Sequence, residues 1–278
     1  MLFNKGTFIY TQQKERIVVC LVGVINRSIK HTWFSIYNNI IKQLEEKYLV
    51  DIVLFNNNVE STMVDDVKLN NDDLKIIPYN YLFKFKQKYI DKQISQIAGT
   101  NKEFSPYWSN NYKLNGLRQM YMESMVSKFL KKSNYKIALV TNGDHLYINK
   151  FELGKKTNNG ITTCNHLDMR GYTNGFYFGY TKNMVKILDR INYYDNLIKT
   201  DTKKINYEKI LKRAFKISKI KRDVTDLFFI KIRANKDIQR FGLDFIRKKK
   251  ERQNLYLQYL KENKYKHKFY KYLLSIYK

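Results

Sequence analysis

Continuous apolar runs alternate along this chain with stretches of helical period. Arg16-Ile17-Val18-Val19-Cys20-Leu21-Val22 reads as a strand covered on both faces, ending at Gly23-Val24-Ile25-Asn26-Arg27. From Ile29 to Tyr48 the period becomes helical: Trp33, Tyr37, Ile40, Leu44 and Tyr48 recur at three- and four-residue steps and predict a packed stripe, its aromatics in the core. Val50 to Phe55 is a second strand, closed by Asn56-Asn57-Asn58. Strand, helix and strand in succession make a βαβ unit, which is parallel and right-handed. A short strand over Leu74–Ile77 stops at Pro78, with Asp65, Asp66, Asp72 and Asp73 on solvated loops before it. Tyr79–Ile97 is expected to be an amphipathic helix with a basic outer face, and residues 98–112 a polar, aromatic loop. Leu114, Leu117, Tyr121, Met125 and Phe129 form the clearest helical stripe. It leads into Ile137-Ala138-Leu139-Val140, a third buried run, which stops at Thr141-Asn142-Gly143-Asp144-His145. Further strands are expected at Ile161–Cys164, Phe176–Gly179 and Leu227–Ile232, and helices over Met184–Tyr194 and Tyr207–Ser218. The alternation predicts an α/β fold: a mostly parallel central sheet flanked by helices.

The length of 278 residues suits one large domain, and 44% hydrophobic residues suffice for a sizeable core. A formal net charge of +27 points to polyanionic partners, namely nucleic acid, an acidic membrane surface or phosphorylated substrates. Two cysteines, Cys20 and Cys164, form no disulfide framework and suggest a reducing compartment. Without a signal-like start or a run long enough to span a bilayer, the expectation is an intracellular, cytoplasmic protein. In the last forty residues, after Arg247-Lys248-Lys249-Lys250, Lys alternates with Tyr, Phe and Leu. This reads as a basic helical extension, either a solvated face or a docking surface for an anionic membrane or nucleic acid. No nucleic-acid motif is evident, so nucleic acid is not the expected partner.

Ligands of open α/β sheets sit beyond the carboxyl ends of the strands, where two sets of polar residues fall. Gly23 permits close backbone approach and Arg27 offers a fork of donors suited to phosphate. Asp144 and His145 could hold a divalent cation and, through it, a diphosphate. A plain polar turn is the alternative for each.

Two segments carry a resemblance. Asn142-Gly143-Asp144-His145-Leu146-Tyr147 is similar to the D-x-D-like turn followed by Leu-Tyr or Ile-Tyr of GT-A-type glycosyltransferases, the small viral and uncharacterised ones in particular. Gly171-Tyr172-Thr173-Asn174-Gly175-Phe176-Tyr177-Phe178-Gly179 resembles their second motif, G-y-N-D-x-F-x-x-G. Tyr207-Glu208-Lys209-Ile210-Leu211 and the strand ending at Ile232-Arg233 give a looser third likeness. The resemblance spans residues 16 to about 236. It implies a GT-A-like catalytic domain over residues 1–236, with 237–278 as an extension.

By this resemblance the chain transfers a sugar from a nucleoside-diphosphate sugar, UDP- or GDP-linked, to a hydroxyl of a glycan, protein or lipid. The location would then be host cytoplasm or virion if the chain is viral. Nucleotide binding is expected of Gly23, Val24, Arg27, Asn56, Asn115, Arg118 and Asp144, and sugar contacts of His166, Arg170 and Asn174. The departures are plain: the family's last acid falls on His145, and the Asp of its second motif on Asn174. Asp144 with His145, joined by His166 or Asp168, would hold Mn²⁺ rather than Mg²⁺, because imidazole suits Mn²⁺ better. A metal-independent route would stabilise the leaving group through Arg27, Arg118 and Arg170, and a third possibility is a decayed site that only binds. For an inverting enzyme the proton acceptor would be Asp168, then Glu208, then Asp226. The competing function is a non-catalytic polyanion binder working through the basic C-terminal surface.

Overall fold

The computed structural model describes residues 14–59, 63–98, 110–154, 159–166, 168, 171–198 and 206–237, with four isolated positions between 250 and 258. In chain order the elements are β1 (Arg16–Gly23), α1 (Ile29–Ile36), α2 (Lys42–Glu45), β2 (Leu49–Asn58), β3 (Met63–Val64), β4 (Val67–Lys68) and β5 (Tyr81–Lys86). There follow α3 (Gln87–Ala98), α4 (Asn110–Lys132), β6 (Ile137–Asn142), β7 (His145–Tyr147), β8 (Gly160–Cys164) and β9 (Phe176–Tyr180). The chain continues through α5 (Thr181–Leu188), α6 (Tyr194–Ile198), α7 (Tyr207–Ile217), β10 (Lys221–Thr225) and β11 (Phe229–Lys231).

Seven strands form one sheet in the order β10-β8-β9-β6-β1-β2-β5. Every pairing is parallel except those of β9, which runs against both β6 and β8. The chain builds outward from β1 through β2 to β5, then crosses back to lay β6 on the other flank of β1. The strand order therefore reverses between β1 and β6, and a crevice opens at the carboxyl ends of such a pair.

The continuous apolar run of β1 follows from this central place. Val18, Cys20 and Val22 enter one core with Ile90, Val126 and Ile210 from α3, α4 and α7. Ile17, Val19 and Leu21 enter a second core with Ile36 and Leu44 from α1 and α2. A polar residue at any of these positions would face a helix on one side or the other. Each such side chain contributes about 1.5–3 kcal/mol relative to exposure, and β6, buried the same way from Ile137 to Val140, adds a like share.

Several elements depart from expectation. Tyr79–Ile97 is not one helix: Tyr81–Lys86 is the outer strand β5, and the helix α3 starts only at Gln87. The exposed Lys84 and Lys86 suit an edge, where charge discourages further pairing. Residues 74–76 belong to a short 3₁₀ turn over Asn71–Ile76, followed by an extended Ile77 and capped by Asn70 Oδ1, which accepts from Asp72 N at 3.0 Å. A wide turn at Tyr37–Ile41 shifts the stripe after α1, so Ile36, Ile40 and Ile41 are buried while Tyr37 is 37% exposed. In α4 the buried apolar positions are Met120 to Met122, Val126 and Leu130, with Leu114, Leu117, Met125 and Phe129 only half-buried. Met184–Tyr194 breaks into α5, a 3₁₀ turn over Arg190–Tyr193, and α6. β11 leaves the main sheet and pairs antiparallel with β7, and β10 is an edge strand too polar to stand out. The loop at 99–109, Arg170 and nearly all of 237–278 lie outside the described residues. No described helix is long and apolar enough to cross a membrane.

Candidate functional site

A cavity of about 390 Å³ lies at the sheet's switch point. Its lining includes Gly23 after β1, Asn57 from β2, and Asn142, Gly143 and Asp144 after β6. Three further walls complete it: Asn115, Arg118 and Gln119 from α4, Tyr207 and Glu208 from α7, and Lys231 and Arg233 from β11 and its end. Residues far apart in sequence meet here because β1, β2 and β6 stop at the same level.

The first wall is a turn held from behind. Gly23 has φ +113°, a conformation open to glycine, and a Cβ there would meet no atom within 4 Å. Glycine is thus required by the backbone rather than by space. Ile25 N donates to Asn56 Oδ1 at 2.8 Å. Asn56 is completely buried and supports the turn instead of lining the cavity. Its neighbour Asn57 does line it, and Asn57 Oδ1 is buried with no hydrogen-bond partner among the described residues.

The β6 turn carries Asp144. Its carbonyl accepts from Ile232 N at 2.9 Å, which fastens β11 against the turn. Asp144 Oδ1 and His145 Nε2 are both buried without a hydrogen-bond partner among the described residues and lie 3.8 Å apart. The His145 ring is fully buried and stacks on Phe229 with centroids 3.7 Å apart. Burial, helped by Lys231 and His166, holds its pKa well below 6.5, so it is neutral at pH 7. A carboxylate oxygen and a neutral imidazole nitrogen are donor types that suit a divalent cation, but His145, unlike Asp144, is fully buried and does not line the cavity. No cluster of three or more His, Cys, Asp and Glu exists among the described residues to complete a site from protein alone.

The cations divide into two kinds. Arg27 is forked onto Asp65, with Nε and Nη2 each 2.7 Å from a carboxylate oxygen. Arg118 is forked onto Asp91 at 2.7 and 2.6 Å and also donates to Asn115 Oδ1. Lys231 and Arg233 have no salt-bridge partner among the described residues. They are alternate residues at the end of β11, so both fall on the side of Phe229 and His145. Burial and then the Arg27 charge lower the Arg233 pKa, with Asp144 and Asp65 opposing. A desolvated guanidinium crowded by another is a place where an anion is stabilised. Asp65 does more than sit on a solvated loop: at φ 51° it ties Arg27 to Ala234 N, 3.0 Å away, across 169 residues.

Glu208 lies in the first turn of α7, whose N-terminus is capped by Asn206 Oδ1 accepting from Lys209 N at 2.8 Å. Gly171 packs against the Glu208 carbonyl, and a Cβ there would overlap it. Tyr172 N donates to that carbonyl at 2.9 Å, so the second motif anchors this helix end. Gly116 likewise lies under the Tyr207 ring with no room for a methyl group. Glu208 Oε2 is buried without a hydrogen-bond partner among the described residues. Burial raises the carboxyl pKa, with Lys231 opposing and Asp168 adding to the rise.

Of the residues expected at the site, the cavity gathers Gly23, Val24, Arg27, Asn115, Arg118, Asp144, Asn174 and Glu208. Asp168 is elsewhere: Arg222 forks onto it at 2.8 Å, and its Oδ1 accepts from Thr173 N at 2.9 Å. That carboxylate staples a loop to β10. His166 is a core histidine, 1% exposed, packed edge-on against Phe228 and Phe229. Asp226 accepts from Asn165 at 2.6 Å beside a separate 250 Å³ cavity. Sequence reasoning missed Asn57, Gln119, Lys231 and Arg233. Lys231 and Arg233 were marked only by alternation at the end of an apolar strand, a pattern that any edge strand shows.

No family model and no curated protein matches the chain. Among solved structures the fold is similar to mouse xyloside xylosyltransferase 1 in its apo form, at 8% identity and a TM-score of 0.42 over 76% of this chain and 85% of that one.

Proposed function

We propose that this protein is a glycosyltransferase that takes a nucleoside-diphosphate sugar into the switch-point cavity and passes the sugar to an acceptor hydroxyl. The observation that carries the reading is the convergence, in one cavity, of the Gly23 turn, carboxylate oxygens of Asp144 and Glu208 without a hydrogen-bond partner among the described residues, and Lys231 and Arg233, which have no salt-bridge partner among those residues. The parts match the reaction's needs. A diphosphate requires fixed positive charge, and the bond broken, from sugar C1 to phosphate oxygen, leaves that charge growing on the nucleotide. Lys231 and Arg233 stabilise it from β11, and Arg27 holds its place through Asp65. Bound Mn²⁺, held by Asp144 together with diphosphate oxygens, would supply further neutralisation. Nucleotide placement falls to Gly23, Val24, Asn115 and Arg118. The donor is a UDP- or GDP-sugar, and the acceptor a hydroxyl of a glycan, protein or lipid.

Glu208 replaces Asp168 as the proton acceptor, because Asp168 is committed to Arg222 and Glu208 is not. The new bond joins the acceptor oxygen to C1, and the hydroxyl proton passes to Glu208. A carboxylate whose pKa is raised by burial is the stronger base. The test is nucleotide release from UDP- and GDP-sugars by wild type and Glu208→Gln. The variant should lose about 10²- to 10⁴-fold in turnover while still binding nucleotide. Full turnover by the variant would remove Glu208 from this role.

A further inference from the structure

Two amides line the cavity, Gln119 from α4 and Asn174 ahead of β9. Beneath them lies an ion pair with almost no contact with solvent. Arg190 is 1% exposed and Glu123 0%, and Arg190 Nη1 is 2.5 Å from Glu123 Oε2. Gln119 Nε2 donates to Glu123 Oε1 at 3.0 Å. Asn174 Oδ1 accepts from Tyr177 OH at 3.0 Å and from Arg190 Nη2 at 3.4 Å.

We propose that Gln119 and Asn174 read the hydroxyls of the donor sugar, and that the Glu123–Arg190 pair fixes which way each amide points. This rests on the glycosyltransferase reading above. An amide side chain can ordinarily turn its oxygen and nitrogen either way. Here it cannot. A carboxylate only accepts, so Gln119 must turn its NH₂ to Glu123 and is left with its oxygen free. A guanidinium only donates, so Asn174 must turn its oxygen to Arg190 and is left with its NH₂ free. No other hydrogen bond among the described residues uses Gln119 Oε1 or Asn174 Nδ2. The cavity therefore presents one fixed acceptor and one fixed donor.

The ion pair needs such an account. Apolar residues of similar volume fill a core at least as well as a buried pair. What they cannot do is impose opposite polarities on two neighbouring amides. A sugar hydroxyl both donates and accepts, and inverting one ring carbon moves that hydroxyl away from its partner. A site with fixed polar valences discriminates against the epimer, because its own group is left unpaired.

The test is calorimetric titration of the full chain with UDP, GDP and two epimer pairs, UDP-glucose with UDP-galactose and GDP-glucose with GDP-mannose. Wild type should favour one epimer of a pair by about tenfold or more. Gln119→Met, which removes the cavity's acceptor together with the donor to Glu123 Oε1, should reduce that ratio to about threefold or less. The double variant Glu123→Leu/Arg190→Met should do the same while keeping its affinity for the bare diphosphate. A ratio kept by both variants overturns the proposal. So does equal binding of both epimers in both pairs by wild type, with diphosphate binding intact. No binding of UDP or GDP at all sinks the transferase reading, and this proposal with it.

Discussion

Replacing Arg190 by Met should destabilise the protein far more than an ordinary core substitution. The arginine is 1% exposed and its partner Glu123 is fully buried at 2.5 Å. Methionine fills much of the volume, so the loss comes from stranding the Glu123 carboxylate away from water. Removing one member of such a pair costs about 3–5 kcal/mol. Gln119 still donates to Glu123 Oε1 at 3.0 Å, which favours the lower end. For a chain of this size that corresponds to a melting temperature lower by roughly 6–20 °C. Leucine at position 123 strands Arg190 and should cost a similar amount. The double variant removes both charges and should lie within about 2 kcal/mol of wild type, on either side. Urea unfolding of all four proteins, with m-values compared to confirm a common transition, gives the coupling directly. A single-variant loss below about 1 kcal/mol, or a double variant that loses the sum of the two singles, would refute the claim that a desolvated pair lies under the cavity.

Three other substitutions test neighbouring parts. Gly116→Ala drives a methyl group into the Tyr207 ring and should cost about 1–3 kcal/mol by overpacking, with turnover falling as α7 and Glu208 shift; unchanged unfolding and turnover would contradict the contact. The Glu208 carboxyl has its pKa raised by burial, so the folded state holds its proton to higher pH than the unfolded chain, and stability is lost as pH rises from 4.5 through the raised value. Glu208→Gln should abolish that part of the stability–pH profile, and a superimposable profile would contradict it. His31 is the opposite case: burial, with Lys30 and Lys236 adding to it, lowers its pKa to about 4 from 6.5, so the folded state resists protonation. Stability should be full above pH 6.5 and fall as pH drops towards 4, and His31→Gln should flatten that window.

The continuous runs at Ile17–Val22 and Ile137–Val140 revealed the sheet because strands buried on both faces leave no polar positions. The turns that end them were legible for the same reason: polar residues and glycine return where the sheet stops. β5 was hidden because Tyr81-Leu82-Phe83-Lys84-Phe85-Lys86 alternates with period two but runs straight into a helix with a basic face of its own. Asp168 drew attention by its place between two motifs, yet its partner Arg222 is 54 residues away and only folding brings them together. His145 and His166 look alike in sequence, but only His145 has its ring nitrogen beside the cavity's carboxylate. Lys231 and Arg233 became visible when β11 left the sheet to pair with β7, which no local pattern announces.

The central claim is that the switch-point cavity binds a nucleoside diphosphate through its cations. The measurement that tests it most directly is calorimetric titration of the protein with UDP and GDP, with and without Mn²⁺, repeated on Lys231→Met/Arg233→Met and on Asp144→Ala. The account predicts saturable binding of one diphosphate by wild type, weakened at least tenfold by the cation variant, with any gain from Mn²⁺ lost in Asp144→Ala. No saturable binding of either diphosphate, alongside steeply salt-dependent binding to nucleic acid or anionic vesicles, would contradict it and point instead to a polyanion-binding protein.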